Sequence, residues 1–370
     1  MPGYDRIALV LQGGGALGAY QVGVFEALDA AGYCPHWFCG TSIGGINAAI
    51  MAGNEPAARL PKLTEFWETI SRPDGWGAGG LDDEARKLAN QWHSFEAVTL
   101  GQPGFFRPRS VNPWLAPAAS PDAISFYDTG PLAATLTTAV DLDRLNDGGT
   151  RLSLGAVNVL SGQQVYFDSA RQAIGYEHIM ASGALPPGFP PIFVDGEPYW
   201  DGGIVSNTPL DTVLDDEPRV STLCFMVDLF DAAGPVPQHM DEVLEREKDI
   251  RYASRAQRNI ASYRRIHNLR RAVTAMWNRL PPAVRAEPTL QELAWMGCTT
   301  TMQIVHLIYQ NTKYETASKD YEFSRASIAE HRKAGRRIAQ QAIAAAPWTR
   351  PVPPHVGVVV HEFANRPAAS

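Results

Sequence analysis

Ile7-Ala8-Leu9-Val10-Leu11-Gln12-Gly13-Gly14-Gly15-Ala16-Leu17-Gly18 opens on five apolar residues and ends in a glycine-rich run, after which Val22, Val24, Phe25 and Leu28 recur at roughly helical spacing. The pattern predicts a buried strand that enters a helix through a loop almost bare of side chains. A second unit follows at once. Trp37-Phe38-Cys39 leads into Gly40-Thr41-Ser42-Ile43-Gly44, and Gly45-Ile46-Asn47-Ala48-Ala49-Ile50 continues as a small-residue helix. Residues 7–52 therefore read as strand, glycine turn, helix, strand, serine turn and helix, with both loops at one edge of a sheet.

The serine turn is G-x-S-x-G at a strand-to-helix junction. Glycines at 40 and 44 let the backbone turn sharply and hold the Ser42 hydroxyl out over the sheet edge, as a nucleophile requires. In the first loop, three successive glycines leave backbone N–H groups unshielded at a helix N-terminus, where orphan donors and the helix dipole favour an anion. An oxyanion is one such anion and a phosphate is another. Gly13, Gly15 and Gly18 also fit the dinucleotide fingerprint, although Gly32 and Tyr33 stand where its ribose-binding acid should be sought. The glycine spacing alone leaves an NAD(P) site open.

A third block, Asp201-Gly202-Gly203, follows Pro198-Tyr199-Trp200 and precedes Ile204-Val205-Ser206-Asn207. Taken in order, Gly-Gly-Gly-x-x-Gly, Gly-x-Ser-x-Gly and Asp-Gly-Gly resemble the patatin-like phospholipase family. So does the stretch from Ala181-Ser182-Gly183-Ala184-Leu185-Pro186 to Phe189-Pro190. The resemblance covers about residues 5–230. It implies an α/β fold, a doubly wound and mostly parallel sheet with flanking helices, and an acyl hydrolase with a Ser–Asp dyad. Carried over residue by residue, Ser42 is the nucleophile, Asp201 the base, and Gly13, Gly14 and Gly15 the oxyanion-hole loop. Gly18, Gly40, Gly44, Gly202 and Gly203 are the supporting turns. Many members place Arg or Lys before the last glycine of the first block, where this chain has Leu17. The substrates implied are (lyso)phospholipids or related acyl esters. A silent lipid- or partner-binding protein is the alternative, and an NAD(P)-binding oxidoreductase is the third reading.

Composition bounds the rest. The chain has 370 residues, 45% of them apolar, which suffices for one large domain or for a domain with an extension. A net charge of −7 argues against nucleic acid as a partner. The four cysteines show neither metal-ligand spacing nor a disulfide framework, so no cofactor or metal is expected and a cytoplasmic location is the simplest fit. The stretch 7–28 is long and nearly uncharged, but glycines at its centre, each costing roughly 1 kcal/mol in a helix, suit a turn better than a membrane span. No signal peptide is apparent.

Along the chain, residues 1–231 are expected to form the catalytic domain. Within it, an insertion at about 73–123 mixes aromatics such as Phe105, Phe106 and Trp114 with prolines. That insertion reads either as a cap over an acyl pocket or as a surface satellite. Helices are expected at 56–70, 129–139 and 174–181, a hairpin at 151–167, and a core strand at 220–227. Residues 235–370 are expected to be a mainly helical extension, with helices at 241–280 and 321–346 and a strand at 301–309. The first of those helices carries a run of arginines from Arg251 to Arg279. Such a helix can touch an anionic membrane or simply present solvated charge.

Overall fold

A computed structural model describes residues 3–74, 82–115 and 121–364, with the side chains of 122 and 254–259 outside that description. A nine-stranded sheet forms its centre. Its strands are β1 (Arg6–Leu11), β2 (Trp37–Thr41), β3 (Arg151–Asn158), β4 (Gln164–Asp168), β5 (Ile192–Val194), β6 (Glu197–Asp201), β7 (Thr222–Asp228), β8 (Met302–Ile308) and β9 (Val358–Phe363). The order is β9-β8-β7-β1-β2-β3-β6-β5, and β4 also pairs with β3. From β9 to β3 every pairing is parallel, while β4, β5 and β6 join antiparallel. Because β4 covers Ser153 to Val157 on one edge of β3, β2 and β6 share the other.

The central strands are buried on both faces, as the unbroken apolar runs predict. Leu9 and Leu11 of β1 point into one core, and Ala8 and Val10 into the other. The principal helices are α1 (Ala19–Ala30), α2 (Ile43–Ala52), α3 (Pro56–Thr69), α4 (Asp83–Leu100), α5 (Gly130–Ala139), α6 (Tyr176–Ser182), α7 (Met240–Trp277) and α8 (Arg325–Ala345). Helix α1 packs on α8 so closely that a Cβ on Gly23 would lie 1.8 Å from the Arg332 carbonyl oxygen, and one on Gly335 would lie 1.9 Å from that of Tyr20. Ile260 and Tyr263 of α7 cover the Ala8 and Val10 face. Part of that helix's apolar side is thus spent on the sheet, while Ile266 and Leu269 remain exposed.

The fold class agrees with expectation, including a largely helical C-terminal region. That region also lends β8 and β9 to the sheet. Besides β9, two larger features were not expected. Helix α4 runs through the aromatic segment, started by Asp82, whose side chain accepts from the Ala85 amide at 2.8 Å. Trp92 and Phe95 sit on it, while Trp76, Pro117 and the glycines at 75, 77, 79 and 80 lie outside the described residues. The second is the β5–β6 hairpin, which turns at Asp195 and Gly196, both at positive φ. Among the described residues, no helix is long and apolar enough to cross a membrane.

Candidate active site

Ser42 follows β2 directly and caps α2. Its φ of 57° and ψ of −130° are strained for a non-glycine residue, and such strain concentrates where a side chain must be presented. The turn is held from behind. The Ser42 amide donates to the Ser182 carbonyl at 2.9 Å, and the Ser182 hydroxyl donates to the Gly155 carbonyl at 2.7 Å. Gly40 backs onto the Gly44 carbonyl, and Gly44 onto that of Leu11, at distances that exclude a Cβ. The hydroxyl of Ser42 is left at the N-terminus of α2, where the helix dipole favours negative charge.

Gly13 passes so close to the serine that a Cβ there would lie 2.8 Å from Ser42 Cβ and 2.5 Å from Asn207 Oδ1. The Gly13 amide is already committed, donating to the Asn207 carbonyl at 3.1 Å, and the Asn207 side chain returns a bond to the Gly13 carbonyl at 3.0 Å. Of the three glycines expected to supply oxyanion donors, Gly13 is thus the one whose N–H is occupied. Among the described residues, no acceptor meets the Gly14 or Gly15 amide. Gly18 packs its bare Cα on Ile43.

Asp201 ends β6 and is buried. Its Oδ1 accepts from the Gly203 amide at 2.7 Å, while Oδ2 is buried and has no partner of ordinary hydrogen-bond geometry among the described residues. Burial pushes the carboxyl up to about 6, against the opposing pull of the nearby Ser42 hydroxyl and the Gly203 amide. Gly202 fits under the Gly155 carbonyl, where a Cβ would lie 2.6 Å away.

Gly13, Gly14, Gly15, Ser42, Asp201 and Gly203 line one cavity of about 130 Å³. Most of its wall is apolar. Phe105, Phe106, Tyr127 and Phe189 close one side, and the Phe106 and Phe189 rings meet tilted at 56° with centroids 5.4 Å apart. Trp114, from the same segment as Phe106, does not line it and is 84% exposed. Tyr252, Asp320, Tyr321 and Phe323 complete the wall from the C-terminal region. No residue-level signal marked these four, because each acts through packing or backbone contacts, whereas Ser182 lies in the 181–190 stretch and Asn207 just after the Asp-Gly-Gly block.

No histidine lines the cavity among the described residues. His178 Nδ1 accepts from the Gly175 amide at 2.9 Å and its ring packs on Phe167. His306 Nε2 meets Asp228 Oδ2 at 2.8 Å inside the sheet. The dinucleotide reading loses its ground here, because Thr41 ends β2 where that site needs an acid. The Asp320 carbonyl also occupies the space against Gly15. No group of three or more His, Cys, Asp or Glu is placed to hold a metal among the described residues.

Comparison with known proteins gives two family models. One, described as patatin-like phospholipase, matches residues 9–214, and the other, described as patatin phospholipase, matches residues 250–355. Among curated relatives, patatin-like phospholipase domain-containing protein 6 of Mus musculus and that of Homo sapiens are each 43% identical over 63 residues. Those residues are 17% of this chain and 5% of either relative. Among solved structures, VipD from Legionella pneumophila aligns with 92% of this chain and 67% of its own, at 16% identity and a TM-score of 0.41. ExoU of Pseudomonas aeruginosa, solved in complex with SpcU, aligns with 70% and 52%, at 19% identity and a TM-score of 0.28.

Proposed function

This chain belongs to the patatin-like phospholipase family, and from that membership we propose that it is a serine-dependent lipid acyl hydrolase acting on carboxylic esters of (lyso)phospholipids or related acyl esters. The observation that carries the proposal is the shared cavity, in which Ser42 on a strained turn and Asp201 with a free buried oxygen face an apolar wall. Asp201 Oδ2 accepts the Ser42 proton as Oγ attacks the ester carbonyl. A base whose pKa lies near working pH suits that transfer. The Gly14 and Gly15 amides receive the oxyanion, and Gly13 supplies clearance. Collapse expels the alcohol, which takes the proton back from Asp201, and leaves Ser42 acylated. Water then attacks the acyl-enzyme with Asp201 again as base, releasing the acid and restoring the serine. Phe106, Phe189 and Phe323 hold the acyl chain.

In this reading residues 1–231 supply the dyad and the later residues supply one wall of its pocket. Trapping by a fluorophosphonate tests it. Covalent labelling that is confined to Ser42 and lost in Ser42→Ala supports an active dyad, and absence of labelling in the folded wild-type protein leaves the silent binding protein instead.

A further inference from the structure

The segment Lys319–Tyr321 comes from the far end of the chain and lies directly on the glycine loop. Gly15, at φ +54°, faces the Asp320 carbonyl so closely that a Cβ there would lie 2.1 Å from the oxygen. Backbone meets backbone, so the position of Asp320 sets where the loop stops. Helix α7 in turn fixes that segment. Lys248 Nζ donates to Asp320 Oδ1 at 2.5 Å and to the Ala317 carbonyl at 2.9 Å, and lies over the Tyr321 ring. One residue along each element, the buried Lys319 donates to Asp249 at 2.7 Å and to Glu245 at 3.3 Å. Both residues are partly or wholly withdrawn from solvent, where an ion pair is weakly screened and a broken one is costly.

We propose that Lys248 and Asp320 are positioning residues for the oxyanion loop, holding the Asp320 carbonyl against Gly15 so that the Gly14 and Gly15 amides stay aimed at the cavity. Donors of this kind work by being placed before the charge develops. The loop has no cation of its own to brace it, Leu17 standing just before Gly18. The bracing comes from residues that follow the three sequence blocks. The catalytic consequence rests on the acyl-hydrolase reading, whereas the mechanical one does not.

The test compares wild type, Lys248→Met and Lys248→Arg by amide hydrogen exchange of the peptide 12–18, whose Gly13 and Leu17 amides are hydrogen-bonded. Turnover of a nitrophenyl ester and the thermal melt are measured in parallel. Lys248→Met is expected to speed exchange in that peptide at least about tenfold while residues 22–28 of α1 stay protected. It should also lower kcat by about tenfold or more at a KM within about twofold, as a misplaced catalytic group does. Lys248→Arg should restore most of both. Exchange in 12–18 that matches wild type in Lys248→Met overturns the proposal, and so does exchange that rises equally in α1, which would mean general loosening. If neither turnover nor Ser42 labelling is found in wild type, the acyl-hydrolase reading fails while the exchange result still decides the bracing.

Discussion

Thr41 and Asp201 lie end to end along one edge of β3, Thr41 in register with Gly155 and Asp201 with its neighbour Ala156. The residue after Thr41 is Ser42, so strand pairing alone brings the serine turn to the carboxylate. Neither group depends on a long loop for its placement, and sites carried on strands hold their geometry more closely than sites on loops.

Ser42→Ala is expected to abolish turnover, and Asp201→Asn to lower it at least about a thousandfold, or roughly 4 kcal/mol in the barrier. His178→Asn and His306→Asn should stay within about tenfold, since Phe167, Gly175 and Asp228 occupy those rings away from the cavity. Kinetics on each variant, with a melt to verify folding, checks this. A folded histidine variant as inactive as Ser42→Ala would sink the dyad.

The raised Asp201 pKa sets two pH effects of opposite sign. Activity needs the ionised base, so kcat/KM should fall as pH drops through about 6. Stability runs the other way. With its folded pKa above the unfolded value of about 4, Asp201 binds more protons in the native state, and stability is lost as pH rises from about 4 to 6. Above that window the buried charge costs up to about 3 kcal/mol. Asp201→Asn should therefore melt higher than wild type at pH 8 and lose that advantage by pH 4, a comparison that calorimetry can make.

Gly13→Ala places a methyl 2.5 Å from Asn207 Oδ1 and 2.8 Å from Ser42 Cβ. The serine turn must shift, and kcat is expected to fall about a hundredfold. Asn207→Ala removes one of the two opposing atoms. In a double-mutant cycle the pair should therefore lose less than the sum of the single changes, with a coupling of about 0.5 kcal/mol or more. Strict additivity would place the clash elsewhere.

Phe106→Leu should reduce turnover of long-chain esters more than of acetyl esters, because the ring forms part of the apolar wall. Trp114→Ala should leave the chain-length profile unchanged, its side chain being exposed and off the cavity. An acyl-length series of nitrophenyl esters separates the two. A shifted profile in Trp114→Ala alone would assign the pocket to the wrong part of the segment.

The first three elements were legible because their signals are local. The apolar run of β1, the glycines that follow it and the G-x-S-x-G turn each state their conformation within ten residues. What escaped was either a local signal masked by its neighbours or a contact made by distant residues. Pro186, Pro187, Pro190 and Pro191 argue for an irregular approach to Asp201, yet the Asp195-Gly196 pair that follows them is a hairpin signal that outweighs them. Asp82 starts α4 within a segment whose glycines and prolines draw attention to its ends. Asp320 touches the glycine loop through its carbonyl, and Asn207 through its carbonyl and its side chain, and no motif records such contacts. The commitment of the Gly13 amide was hidden for the same reason.

The last strands of the chain carry a consequence for how it can be cut. With β8 and β9 in place, β7 has a neighbour on each side. A chain ended at residue 231 would keep every residue of the three sequence blocks and still bare one whole side of Thr222–Asp228, leaving unpaired the amides and carbonyls that face β8. Bare strand edges of that sort recruit other chains. The shortened protein is therefore expected to self-associate more than the full chain does, because the outermost strands take up the hydrogen-bonding edge of β7.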